Sequence, residues 1–166
     1  MAIRSNHYDL AFEEFLRELR RPYVAVDERR RALAREASLK SFDFVVYSPQ
    51  GCNLLIDVKG RRFPAGEHRR WNNWASQEDI DSLQQWQQVF GGNFRSMLVF
   101  AYELTAVKWW RDHPLVWEFR KRKYAFYGVF VDDYAKHMKS LCAKWDTVNL
   151  KAADYRQLRH GILEVL

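Results

Sequence analysis

The stretch from Ser41 to Arg62, SFDFVVYSPQGCNLLIDVKGRR, most restricts what this chain can become. It reads as two apolar strands, Phe42–Tyr47 and Leu54–Lys59, joined by a Pro/Gly turn over Ser48–Asn53. Three charged side chains interrupt the apolar runs: Asp43, Asp57 and Lys59. Side chains alternate faces along a strand, so Asp57 and Lys59 share a face and Val58 takes the other. Closing the hairpin sets Tyr47 near Leu54 and brings Asp43 opposite Asp57 or Val58. Directly paired residues on one face have Cβ atoms about 4.5–5.5 Å apart. Two carboxylates that close, in half-buried strands, cannot both stay ionised without a cation between them. Oxygen ligands suit magnesium or manganese. The plainer alternative is a solvated strand end in which Lys59 pairs with either aspartate.

An Asp followed, after a short hairpin, by Asp-x-Lys resembles the signature of the PD-(D/E)xK nuclease superfamily. Asp43 matches the first acid, Asp57 the second and Lys59 the lysine. Asp57-Val58-Lys59 is the only (D/E)-x-K triplet in the chain, and Phe42 stands where the signature nominally has proline. The resemblance covers about residues 6–102. It implies an α/β, restriction-endonuclease-like fold: a mixed central sheet flanked by helices, as a single domain over 1–166. It also implies metal-dependent hydrolysis of phosphodiester bonds in nucleic acid, with DNA as the expected form. Asp43 and Asp57 would hold Mg2+ or Mn2+, and Lys59 would orient water or stabilise developing charge. Within the superfamily, the short chain and early helix look most like Holliday-junction-resolvase-type or small repair nucleases. A homodimer is compatible with that resemblance. The alternative is an inactive nuclease fold that serves as a nucleic-acid-binding or dimerisation module.

The superfamily often supplies one more acid from the first helix. That helix is expected over Asp9–Arg20, with Asn6 as N-cap and a stripe of Tyr8, Phe12, Phe15, Leu16 and Leu19. Asp9 and Glu13 flank the stripe on one edge, while Glu14 and Glu18 lie on the far side. Asp9 has a sufficient reason to be there, since its charge suits the helix N-terminus. Glu13 is therefore the expected third ligand, with Asp9 next.

The chain of 166 residues carries 27 Lys and Arg against 21 Asp and Glu, a net charge of +6 that favours an anionic partner. Arg61, Arg62, Arg69 and Arg70, with Trp71 and Trp74 between and beside them, suit phosphates and stacked bases. Capping of the core is the other reading for the tryptophans, and the expected one for Trp74. The basic run Asp27–Lys40 reads as a short helix or a mobile arm, either a solvated face or a phosphate contact. Cys52 and Cys142 have no metal spacing and fit a reducing interior. No apolar run reaches the ~18 residues of a membrane span, and the N-terminus lacks an apolar signal-peptide core, so a soluble cytoplasmic protein is expected.

Downstream, Ser76-Gln77-Glu78-Asp79 reads as a capping box opening a helix through Ile80, Leu83, Trp86, Gln87 and Phe90, stopped by Gly91-Gly92. Its glutamines are expected on the surface. Ser96–Tyr102 is a strand buried on both faces, and strand, helix and strand make a right-handed crossover. Lys108–Lys123 reads as irregular and Tyr124–Val131 as a strand. A helix capped by Asp132 or Asp133 would then bury Tyr134, Met138, Leu141 and Trp145. Ala152–Leu158 reads as a short helix.

Overall fold

The first helix, α1 (His7–Glu18), starts where Asn6 accepts the backbone N–H of Tyr8 on its side chain at 3.1 Å, leaving one fewer unsatisfied donor. It ends where Arg20 turns left-handed at φ 53° ahead of Pro22. Strands β1 (Tyr23–Ala25), β2 (Ala32–Leu33), β3 (Ser38–Leu39) and β4 (Phe44–Val46) follow, then the long β5 (Asn53–Phe63). After β6 (Ala75–Ser76) come α2 (Gln77–Phe90), β7 (Phe94–Leu104), α3 (Val107–Trp110), β8 (Trp117–Phe119) and β9 (Arg122–Phe130). The chain closes with α4 (Val131–His137), β10 (Lys139–Cys142), β11 (Thr147–Asn149), α5 (Ala152–Leu158) and β12 (His160–Gly161). The computed structural model describes residues 6–27, 32–33, 38–49, 51–64, 69–111 and 113–166.

Among the described residues the main sheet runs β1-β4-β5-β7-β9-β12, with β8 added alongside β9. Among the described strands only β5 and β7 pair in parallel, from Asn53↔Phe94 to Phe63↔Leu104, and β6 and α2 lie in the connection between them. The other pairs are antiparallel, so the sheet is mixed as expected. Alternation sorts its two faces. Phe44, Val46, Leu54, Ile56, Val58, Met97 and Val99 pack with Ala11, Phe12, Phe15 and Leu16 of α1. Val45, Leu55, Leu98, Phe100 and Tyr102 pack with Ile80 and Leu83 of α2, Tyr134 of α4 and Tyr155 of α5. Asp57 and Lys59 follow Leu55 in phase and so belong to the α2 face.

Gly60 shows how closely α1 is seated. A Cβ there would lie 2.1 Å from the Tyr8 ring, next to the backbone end of that side chain, so it cannot simply swing away. Gly60→Ala should cost about 1–3 kcal/mol by overpacking, read as a lower midpoint in urea at unchanged slope. A midpoint equal to that of the parent would show that α1 is not held against β5 in solution.

Several elements depart from the sequence reading. Within Asp27–Lys40, expected as a short helix or a mobile arm, Ala32–Leu33 and Ser38–Leu39 pair as strands, with Ala32↔Leu39 and Leu33↔Ser38. Arg29, Arg30, Arg31 and Arg35 lie outside the described residues, as does His68. Within the expected irregular segment, β8 and β9 make a hairpin whose turn residues Arg120 and Lys121 both have positive φ, 48° and 64°. Such turns normally announce themselves with Asn or Gly, and none is present. Helix α4 stops at His137; Lys139–Cys142 is instead paired with β11, and Asp146 turns left-handed at φ 46°. Tyr134 is in the core and Met138 packs against it, but Leu141 is 52% and Trp145 69% exposed. The helical spacing of those four residues was coincidental, because strand pairing to Thr147–Asn149 took over. The α5 helix covers Ala152–Leu158, as read from the sequence.

Candidate active site

The hairpin register is Phe44↔Ile56, Val45↔Leu55 and Val46↔Leu54, and Asp43 lies one residue before β4, where the ladder turns irregular. The Asp43 amide N–H donates to the Ile56 carbonyl at 2.9 Å. Its carboxylate accepts the Val58 N–H at 2.5 Å, so the strand backbone itself orients the Asp43 side chain. Both aspartates are buried. Lys59, one alternation further along β5, places its ammonium 2.6 Å from the Asp57 carboxylate. The structure thus brings together Asp43, Asp57 and Lys59.

It adds two residues that the sequence reading did not assign to the site. Asp79, from the first turn of α2, lies 2.9 Å from the Lys59 ammonium and also ion-pairs with Lys40. Its capping box is complete: the Ser76 hydroxyl accepts the Asp79 N–H at 3.1 Å, and the Asp79 carboxylate accepts the Ser76 N–H at 2.9 Å. Lys40 is held beside α2 by its backbone, since the Trp86 indole N–H donates to the Lys40 carbonyl at 2.9 Å. The signal that could have exposed Asp79 is the short acid at a position where Glu is usual. Asp79 caps its own helix and faces the neighbouring strand as well.

Burial sets the electrostatics. It pushes the Asp57 carboxyl above its ordinary value, an effect that Lys59 only partly offsets and the nearby charge of Asp79 reinforces. Burial also opposes the charge of Asp79, but the ammonium groups of Lys59 and Lys40 outweigh it and hold this carboxyl well below the usual range. Lys59 is desolvated too, yet Asp57 and Asp79 together hold its ammonium well above the ordinary lysine value. The lysine is therefore a fixed cation at neutral pH.

Glu13 does not join this cluster. Its carboxylate accepts the Tyr23 hydroxyl at 2.8 Å and pairs with Arg17 at 3.1 Å. The helix that carries it covers the opposite face of the sheet from Asp57. Asp9, the runner-up, is buried on the same helix. Among the described residues no group of three or more His, Cys, Asp and Glu side chains is placed to hold a metal ion. Magnesium does not require one, because one or two carboxylates, waters and substrate phosphates commonly suffice. Asp43 and Asp57 offer such a hard-oxygen pair, and the desolvated Asp57 charge would gain from a cation beside it.

The arginines divide. Arg62, Arg69 and Arg70 are exposed. Arg61 is engaged: its guanidinium donates to the Trp74 carbonyl and lies 3.9 Å from the centre of the Trp74 ring. Trp74, the tryptophan expected to cap the core, is the one left exposed. Trp71 stacks on Phe63 at 3.9 Å and meets Tyr102 and Tyr127 edge-on, whereas Trp74 is 41% exposed. Gln87 is not a surface residue in effect, since it accepts the Ser96 N–H at 2.7 Å and donates to Asp132 at 2.9 Å. Cys52 and Cys142 are free thiols. Among the described residues no helix is long and apolar enough to cross a membrane.

No protein-family model and no curated protein matches the chain. Among solved structures it is similar to Hjc, a Holliday junction resolvase from the archaeal hyperthermophile Archaeoglobus fulgidus. The likeness covers 96% of this chain and 97% of that one, with a TM-score of 0.56 and 14% sequence identity. The chain thus has a restriction-endonuclease-like fold, and the likeness extends well past Tyr102, where the sequence resemblance stopped.

Proposed function

We propose that this protein is a divalent-metal-dependent nuclease that hydrolyses phosphodiester bonds of DNA, with branched DNA as its substrate. The observation that carries this reading is the Asp43 carboxylate seated on the Val58 N–H, between Asp57 and Lys59, which are themselves ion-paired. It occurs within a fold similar to that of a Holliday junction resolvase. Asp43 and Asp57 would hold the ion. Magnesium, when bound, supplies Lewis-acid polarisation of a phosphoryl oxygen and a water of lowered pKa. The chain's own part is positional and electrostatic. The Val58 N–H fixes the Asp43 carboxylate, and burial keeps bulk water from screening Asp57. Lys59 stays protonated between two acids, which suits it to donate to oxygens that gain negative charge and not to accept a proton. Asp79 and Asp57 together prevent that ammonium from swinging away.

The test is cleavage of end-labelled four-way junctions, duplexes, single strands and RNA, each in magnesium, manganese and EDTA. Products from the junction in magnesium and none in EDTA are expected. Binding without products in either metal would make the chain a binding module instead. Binding should also weaken steeply with salt. Contact with about five phosphates gives a slope near −4.5 in log K against log salt on duplex DNA. An affinity independent of salt would remove the basic surface from the account.

A further inference from the structure

A groove of about 730 Å3 lies between the 69–74 segment and the 149–156 segment, and Arg61 of β5 ties its Trp74 wall to the strand that carries Asp57 and Lys59. Its size falls within the range of pockets that enclose one small molecule, and a stacked duplex is too large to enter it. Arg69, Arg70, Lys151 and Arg156 line it, and none of the described lining residues is Asp or Glu. Trp74 and Leu141 supply apolar surface that is 41% and 52% exposed. The walls are fixed. Asn73 clamps the two segments together, accepting the Leu150 N–H at 2.8 Å and donating to the Leu150 carbonyl at 3.3 Å. The Tyr102 and Tyr134 hydroxyls hold the Asn72 and Asn73 carbonyls, each at 2.8 Å. Trp74 is oriented from one side by the Arg61 guanidinium, which occupies one face of the indole.

Cations, a preset aromatic ring and a concave wall match one unpaired nucleotide: the ring takes the base, the cations the phosphate. We infer that this groove receives an unpaired nucleotide of the DNA strand, its base on Trp74 and its phosphate among Arg69, Arg70, Lys151 and Arg156. Arg61 is four residues from Asp57 on the same face of β5, about 13 Å at roughly 3.3 Å per residue. The groove therefore reads strand structure within a few nucleotides of the cleaved bond. The inference rests on the nuclease reading and specifies it: the preferred substrate has a strand displaced from its duplex near the cut.

The experiment is fluorescence anisotropy in EDTA on the full chain, with a blunt duplex and the same duplex bearing a short single-stranded extension. The extension should tighten binding by the parent protein. Trp74→Ala should lose that gain, on the order of tenfold, with blunt-duplex affinity unchanged. Trp74→Leu, which keeps apolar bulk without a π-face, should behave as the Ala variant, and Trp74→Phe should retain most of the gain. If Trp74→Ala fails to fold, the Leu and Phe variants decide. Lys151→Ala and Arg156→Ala should weaken the extended duplex more than the blunt one. No gain from the extension, or equal losses on both DNAs, would overturn the inference. Because the readout needs neither metal nor cleavage, a protein that cuts DNA but fails here loses the groove and keeps the nuclease reading. One that passes but never cuts keeps the groove and loses the nuclease.

Discussion

Asp57→Asn is expected to lower magnesium-dependent cleavage of branched DNA by more than about a hundredfold without lowering the melting temperature at pH 7. Loss of a residue that merely orients a metal ligand typically costs 10–100-fold, so loss of a ligand itself should lie at or beyond that limit. The stability half follows from burial. The Asp57 carboxyl is held above its ordinary value of 3.8 mainly by desolvation, so its ionised form is disfavoured in the folded protein. The sign is that of a raised carboxylate. Its stabilising contribution is present below pH 3.8 and is lost as pH rises through the raised value. Asparagine cannot titrate, so the variant should lack that part of the decline. Lys59 retains Asp79 at 2.9 Å and is not stranded. Cleavage within threefold of the parent in a folded variant would remove Asp57 from the metal site. A large fall in melting temperature would show that the Asp57–Lys59 pair serves the fold instead.

The same hairpin marks what the sequence could and could not tell. Alternating apolar residues and a single Pro/Gly turn determine register within one residue, and one residue decides whether Asp43 meets Asp57. The capping box, the twice-buried β7 and the short α5 are local patterns and were equally legible. What the sequence does not show depends on contacts remote in it. Lys40 and Asp79 are 39 residues apart and meet only because α2 packs over the β5 face. The place of Glu13 on one edge of the α1 stripe does not reveal which face of the sheet that helix covers. The packing of Trp71 and the exposure of Trp74 have the same origin, since Phe63 and Tyr102 claim one ring and Arg61 tethers the other.

Asp79→Ala is expected to destabilise the protein by about 3 kcal/mol, the lower end of the cost of removing one partner from a buried ion pair. For a chain of this size that is a fall of roughly 6–12 °C in melting temperature. Three interactions disappear together: the reciprocal cap with Ser76, the pair with Lys40 and the pair with Lys59. The lower end is chosen because Lys59 keeps Asp57 and the Lys40 ammonium is partly exposed. Asp79→Asn preserves the acceptor for Ser76 and should cost less; the difference between the variants measures the cap, about 1 kcal/mol. The pH dependence separates charge from cap. Asp79 is held well below 3.8, so its stabilising contribution is present above that value and is lost as pH falls beneath it. The parent should therefore lose stability into acid more steeply than Asp79→Asn, and identical acid limbs would rule out the ionic role. Asp79 also positions Lys59. Well below its melting temperature, Asp79→Asn should show a reduced kcat on branched DNA with affinity in EDTA unchanged, a division that simple loss of folded protein cannot produce. Unchanged kcat would leave Asp57 alone as the anchor of Lys59 and confine Asp79 to the stability of α2.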